Sequence, residues 1–284
     1  KAYSNHAITL EGKQRELTIL FSDIKSFTYR TETLGNEIID VLNVHYNKVI
    51  HSVHEATGVV GSIIGDAILA IFGTEVSGSS KSLKAIEVAW EITNVTAELR
   101  DKMIERRKEI EKTRRLTAAE DRVYQAVLLD IGVGIDGGNV FYGNIGSDEH
   151  MANTVIGDNV NSSSRLEGLT RIYHLPVIVS EYIKDEVENV STRYKFYEID
   201  TVQVKGKTKG KKIYFPVDTY AQSASIVIEK FDKFKDGLEA YYKGDWSKAR
   251  KKFKDCDHDV CEVFLERMGR KSAPAKWSGI WTMT

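Results

Sequence analysis

The stretch "VVGSIIGDAILAIFG", Val59 to Gly73, constrains the fold more than any other part of the chain. Short Val/Ile/Leu runs punctuated by Gly58, Gly65 and Gly73 have the pattern of a strand hairpin. Such a hairpin belongs in a core, yet Asp66 follows Gly65 at the expected bend, and Ser62 is the only other polar side chain in the stretch. A lone carboxylate at such a place is a turn former or a helix cap, unless a second carboxylate joins it and a cation neutralises both. The hairpin therefore raises a question of chemistry as well as one of folding.

The same reading extends along the chain. "ELTILFSDIKSFT" contains an apolar run, Leu17 to Phe21, that predicts a buried strand ending at Asp23. Helical spacing runs from about Asn36 to Glu55, with Ile38, Ile39, Leu42, Val49, Ile50 and Val53 as its apolar positions. A second helix is predicted from Lys81 to Leu116. Its later part, "RDKMIERRKEIEKTRR", interleaves acidic with basic residues and reads as a solvated face rather than a nucleic-acid surface. "QAVLLDIGVGIDGGNVFYGNIG" reads as strand and "GDNVNSSSRLEGLTRIY" as helix. "LPVIVSEYI" and "KFYEIDTVQVKGKTKGKKIYFPV" read as further strands. Interleaved strands and helices imply an α+β or α/β class.

Past about Tyr220, "FDKFKDGLEAYYKGDWSKARKKFKD" predicts two helices broken at "KGDW", and Ala249 and Phe253 reproduce the A-x-x-x-F of a tetratricopeptide-type hairpin. A single repeat cannot bury its own face, so this one is expected to pack on the main domain or on a partner. Trp246, Trp277 and Trp281 read as packing residues of a cap or dimer-support element.

The 40 basic and 41 acidic residues leave a net charge of -1, which supplies no global pull toward nucleic acid or anionic membrane, so any anion site must be local. No apolar run reaches membrane-spanning length and no signal-peptide pattern opens the sequence, so a cytoplasmic domain is expected. The start at Lys1 leaves room for an upstream sensor or membrane region. Cys256 and Cys261, with His258 between them, are too few for a closed zinc set and read as reduced structural thiols.

Chemistry concentrates in four places. Asp23 and Asp66 each end or interrupt an apolar strand. If they converge at one sheet edge, they form the protein's usual share of a magnesium site, with phosphates and water filling the remaining positions. After Asp23, "IKSFT" offers successive backbone N–H groups leading into a helix, a setting that favours phosphate oxygens. Asn161 and Arg165 are four apart and project from one helix face. Arg165 either pairs with a neighbouring carboxylate such as Glu167 or Asp158, or clamps a phosphate. "VKGKTKGKK", with Lys205, Lys207, Lys209, Lys211 and Lys212, reads as a charged hairpin turn from which one lysine can reach a triphosphate.

Taken in order, "LTILFSDIKSFT", "GSIIGDAILAIFG", "NTVIGDNVNSSSRLEGLT" and "VKGKTKGKKIYF" resemble the class III nucleotidyl cyclase catalytic domain, over roughly Arg15 to Asp218. The resemblance implies an α/β sandwich: a ferredoxin-like core, a mostly antiparallel sheet and helices packed on one face, followed here by a C-terminal helical hairpin. It divides the chain into a linker (1–14), a catalytic domain (15–220) and a helical extension (221–284). It implies that Asp23, Asp66 and the Ile24 carbonyl hold two Mg2+ or Mn2+ ions, and that Phe27 and Thr28 lie in the phosphate-holding turn. Asn161 orients the ribose, Arg165 stabilises the pentacoordinate α-phosphate, and Lys207 binds the triphosphate.

The family builds each site across a homodimer, with the aspartates from one chain and Asn161 and Arg165 from the other. The segment from Gly143 to Thr154 would be an arm on the partner. The implied reaction converts ATP to 3′,5′-cyclic AMP and pyrophosphate. The positions that select the base carry Ser62, where adenylate cyclases have lysine and guanylate cyclases glutamate, and Thr154, as in adenylate cyclases of the threonine type. Losing a charged hydrogen bond to the base costs about 1.5–3 kcal/mol. The alternatives left open are a nucleotide-holding regulatory module with negligible turnover and a guanylate cyclase.

Overall fold

The computed structural model describes residues 13–75, 80–147, 150–203 and 210–282. The first strand, β1 (Lys13–Ile24), has Leu17, Ile19, Leu20 and Ile24 buried, so both of its faces lie in the core. After α1 (Phe27–Leu34) and α2 (Ile38–Glu55) comes the hairpin of β2 (Val59–Ile64) and β3 (Ala67–Phe72), where every residue of β3 is buried. Helix α3 (Lys81–Glu111) leads through α4 (Ala118–Val127) to β4 (Ile131–Ser147) and β5 (His150–Ile156). Then follow α5 (Asp158–Tyr173), β6 (Val177–Ser180), α6 (Glu181–Glu188) and the β7 (Tyr194–Gln203)/β8 (Lys211–Asp218) pair. The chain closes with α7 (Ala224–Tyr242), α8 (Trp246–Cys256), α9 (Asp259–Met268) and the short β9 (Trp281–Thr282).

The described strands form one sheet in the order β2-β3-β1-β4-β6-β8-β7-β9, with β5 on β4. All pairings are antiparallel except β4 with β6 and β7 with β9. The β2-β3-β1-β4 part, with α2 and α3 as its crossovers, is the expected ferredoxin-like core. Alternation along β4 explains how helices attach to it. Ile131, Val133 and Ile135 share one core cluster with Val49 and Val53 of α2 and Ala85, Ile86 and Ala89 of α3. Gly132 and Gly134 point the other way, and a Cβ on Gly134 would lie 2.2 Å from the Ser163 carbonyl and the Glu167 amide. Glycine there lets α5 lie directly on the strand, on the face opposite α2 and α3, so helices cover both faces of the sheet rather than the one face expected.

Several element boundaries differ from the sequence expectation. The long second helix ends at Glu111, and Gln125–Val127, expected as strand, close α4 instead. The cause is a capping box that the periodicity reading passed over: Thr117 Oγ1 accepts from the Glu120 amide at 3.2 Å, and Glu120 accepts from the Thr117 amide at 2.9 Å. In "LPVIVSEYI" the strand stops at Ser180, and Glu181 opens a helix. The predicted break at "KGDW" is present, with Asp245 capping α8 by accepting from the Lys248 amide at 3.0 Å. The tail beginning "FLERM" is helical through Met268, so the C-terminal region holds three helices rather than two.

Those helices are built on aromatic residues. Phe231, Phe234, Phe253 and Phe264 are buried and share a cluster with Leu166 and Tyr173 of α5 and with Ile178, Ile199, Ile213 and Phe215 of the sheet. Trp246 and Trp277 meet edge to face at 5.3 Å, and Trp277 Nε1 donates to the Tyr241 carbonyl at 2.8 Å. Cys256 and Cys261 are free and buried, and His258 caps α9 through its Nδ1. Among the described residues, no helix is long and apolar enough to cross a membrane.

Candidate active site at the ends of strands β1 and β2–β3

Strand register brings the two aspartates together. In the antiparallel β1–β3 pair, Phe21 faces Leu69 and Ser22 faces Ile68. Continuing that register sets Ile24 level with Asp66, and the Ile24 amide donates to Asp66 Oδ2 at 3.2 Å. The bend itself is a two-residue connection, because Ile64 pairs with Ala67. Gly65 takes φ +63° there, a conformation in which any side chain is strained. Tyr46 of α2 donates its hydroxyl to the Gly65 carbonyl and pins the bend from the helix side.

Asp66 stands beside Ile24 and within reach of the Asp23 carboxylate. Burial first, then Asp23, pushes the Asp66 carboxyl up to about 7. Burial, followed by Asp66 and Asp23, also raises the Tyr46 hydroxyl. The one guanidinium that pairs with Asp23, that of Arg171 on α5, is shared with Glu167, so the carboxylates outnumber it, and their hard oxygens suit a hard divalent cation such as Mg2+ or Mn2+. Among the described residues no group of three or more His, Cys, Asp and Glu side chains could hold a metal ion by itself. The pair therefore fits a metal whose remaining positions are filled by a backbone carbonyl, phosphate and water.

The turn after Asp23 is braced from beneath. Ser26, in the left-handed region at φ 58°, turns the chain into α1, whose first N–H groups have no intrahelical acceptor. The Lys25 amide donates to the Asp130 carbonyl at 2.8 Å, and the Lys25 and Asp130 side chains pair at 3.1 Å. Arg30 is buried and donates to the carbonyls of Lys25 (2.9 Å) and Ala126 (2.6 Å), tying the turn to the end of α4. Phe27 is partly buried and Thr28 exposed at the start of α1.

Asn161 and Arg165 lie one helical turn apart on α5, both exposed. Among the described residues neither side chain has a hydrogen bond or ion pair with Asp23, Asp66, Glu167 or Asp158. The carboxylate of Glu167 is instead engaged by Arg171, at 3.0 Å. The N-terminal end of α5 is fixed by Asn159, whose Nδ2 donates to the Gly137 carbonyl at 2.7 Å and to Asp136 Oδ2 at 3.3 Å. Ser62 is partly buried on β2, opposite Leu69 and next to a bulge after Val60. Thr154 sits on β5 opposite Gly143 of β4, in the pair of antiparallel strands that spans the segment expected to be the arm. Lys205 and Lys207 lie outside the described residues.

The residue that sequence reasoning missed is Arg171. It donates to Asp23 Oδ2 at 2.7 Å and pairs with the buried Glu167, whose carboxyl burial pushes up to about 7 although Arg171 pulls it back. The one available signal was the i, i+4 spacing of Glu167 and Arg171. Arg30 was likewise missed, since nothing local marks a buried arginine.

Residues 11–218 match the family of adenylate and guanylate cyclase catalytic domains. The chain is 28% identical over 244 residues to the terminal-differentiation-specific adenylate cyclase of Dictyostelium discoideum, a span of 85% of this chain and 10% of that protein. It is 32% identical over 204 residues to an adenylate cyclase of Anabaena cylindrica, covering 70% of this chain and 36% of that one. It thus corresponds to a minor part of either relative's length. Among solved structures, the guanylyl cyclase Cya2 superposes with a TM-score of 0.55 at 25% identity, over 73% of this chain and 94% of that chain. Sheet order, the joined aspartates and a match across residues 11–218 agree: this chain belongs to the class III adenylate and guanylate cyclase catalytic domain family.

Proposed function

We propose that this chain is an adenylate cyclase that forms 3′,5′-cyclic AMP and pyrophosphate from ATP. The observation that carries this reading is that register sets Asp23 and Asp66 together at one end of the sheet, where Arg171 is shared between Asp23 and Glu167, while Asn161 and Arg165 stand exposed on a different element. In the family's arrangement a second copy supplies Asn161 and Arg165 to the aspartates of the first, so the active species is a homodimer with two shared sites. Exposure of both side chains, without partners among the described residues of their own chain, is what a shared site requires.

Asp23, Asp66 and the Ile24 carbonyl would hold two Mg2+ or Mn2+ ions; when bound, such a pair acidifies the ribose 3′-hydroxyl and neutralises the triphosphate. The chain's own residues do the rest. The N–H groups at the start of α1, around Phe27 and Thr28, meet phosphate oxygens, and Arg30 keeps that turn rigid. Asn161 orients the ribose so that its 3′-oxygen attacks the α-phosphorus in line with the departing pyrophosphate. Arg165 receives the charge that develops on the α-phosphate oxygens, and Lys207 holds the triphosphate.

Thr154 and the two relatives named adenylate cyclases favour ATP. Ser62 cannot span the distance a lysine spans, so base selection is relaxed. The test is incubation of the purified chain with ATP and, separately, GTP, each with Mn2+ and with Mg2+, alongside Ser62→Lys. Cyclic AMP is the expected main product, rising about tenfold in Ser62→Lys. A parent that makes no cyclic nucleotide while Ser62→Lys does would replace the enzyme by a nucleotide-holding module; preference for GTP would make it a guanylate cyclase.

A further inference from the structure

Helix α5 carries Asn161 and Arg165 near its start, and its far end is locked into the C-terminal helices. Tyr173, its last residue, is fully buried and donates its hydroxyl to Asp200 Oδ2 at 2.6 Å. Arg267 of α9 donates to the same Asp200 oxygen through Nη1 and to the Tyr173 hydroxyl through Nη2 at 2.8 Å. Asp200 is 0% exposed and stands at a register irregularity in β7, between Glu198 and Asp200; its Oδ1 accepts from the Thr201 amide at 2.8 Å. The Arg267 guanidinium is enclosed by the rings of Tyr173, Phe264 and Trp281, at 5.4, 5.1 and 5.5 Å.

A buried, fully hydrogen-bonded triad of this kind adds less to net stability than apolar packing of the same volume, but it permits only one arrangement of its parts. Here those parts are the end of α5, strand β7 and α9. Two residues before Tyr173, Arg171 ties the same turn of α5 to Asp23 at 2.7 Å. The last turn of α5 is thus tethered on one side to the metal-site strand and on the other to the C-terminal helices. Asn161 stands twelve residues from Tyr173 along the helix, about 18 Å at 1.5 Å per residue, so a small tilt at the anchored end becomes a displacement of ångströms at Asn161.

We propose that Arg267 is a positioning residue: through Asp200 and Tyr173, the C-terminal helices hold α5 in the orientation that presents Asn161 and Arg165 to the nucleotide. The effect on turnover rests on the adenylate cyclase reading; the effect on α5 does not. The helical extension is then part of the working catalytic unit rather than an appendage to it.

Three variants of the full chain test this: Arg267→Met with Asp200→Asn, Arg267→Lys, and Tyr173→Phe. The paired change avoids leaving a lone buried charge, and Tyr173→Phe removes only a hydroxyl, so at least one fold-preserving break is available. Amide hydrogen exchange across 158–173 should speed up at least tenfold in the paired variant, with α2 unchanged. In cyclic nucleotide synthesis its kcat should fall at least tenfold while KM and Mn2+–ATP binding stay within threefold. Arg267→Lys should recover part of both effects, and Tyr173→Phe should show them in weaker form. Unchanged α5 exchange in the folded variants overturns the proposal, as does unchanged kcat. A parent that makes no cyclic nucleotide overturns the functional reading instead, and exchange alone then decides whether the junction holds α5.

Discussion

Asp66 and Asp200 are both carboxylates set among apolar strands, and their surroundings are opposite. Asp200 is sealed in, with Arg267, Tyr173 and the Thr201 amide donating to its oxygens. Asp66 is half-open; its partners are the Ile24 amide and a second carboxyl, Asp23, and its carboxyl is pushed up to about 7. One cluster is electrostatically complete within the chain and the other is not. Completeness marks the structural junction, and the shortage of positive charge at the other cluster is what the proposed metal would relieve. Helix α5 touches both clusters, through Tyr173 at one and Arg171 at the other.

The sharpest way to break this comparison is one change of carboxylate to amide at each place. Asp66→Asn should lower cyclic nucleotide synthesis at least about a thousandfold, about 4 kcal/mol, yet leave thermal stability in chelator unchanged or raised, because it relieves repulsion by Asp23. Asp200→Asn should instead cost about 3–5 kcal/mol in urea unfolding, because Arg267 is left buried without its counter-ion. Equal stability effects at the two positions would erase the distinction.

A smaller effect sets the acid baseline against which both clusters are read. His45 is 1% exposed, neither of its ring nitrogens has a hydrogen-bond partner among the described residues, and burial depresses its pKa from 6.5 to about 4. Because the folded value lies below the unfolded one, its contribution is complete above pH 6.5 and is lost as pH falls through 4, up to about 3 kcal/mol. His45→Leu should flatten that part of the stability–pH curve, as measured by unfolding at pH 4, 5, 6 and 7. The smallest effect is expected from Gly65→Ala. Its Cβ meets nothing, but φ +63° costs about 1–2 kcal/mol, and the reduced cyclase rate should exceed what that loss of stability explains because Asp66 is the next residue.

Much of this was legible beforehand. The hairpin at Val59–Gly73, the strand ending at Asp23 and the helix bearing Asn161 and Arg165 all follow from periodicity and glycine punctuation, signals contained within a few residues. Gln125–Val127 were misread because a β-like composition was weighed without the capping box at Thr117 and Glu120. Arg30, Arg171 and Arg267 were passed over for another reason. An arginine with a fixed partner and a solvated one look alike along a chain, and what separates them is a partner 96, 148 or 67 residues away.

Local physics, read from residue order, determined where most strands and helices run and that Asp66 stands at a bend. Only the tertiary structure decided that Asp66 comes beside Asp23, that Arg171 of α5 pairs with Asp23, and that the C-terminal helices anchor that same helix. Backbone propensity acts over a turn or two of chain. Register between strands and burial of charge depend on distances in space, which are settled only when the whole sheet and its helices pack.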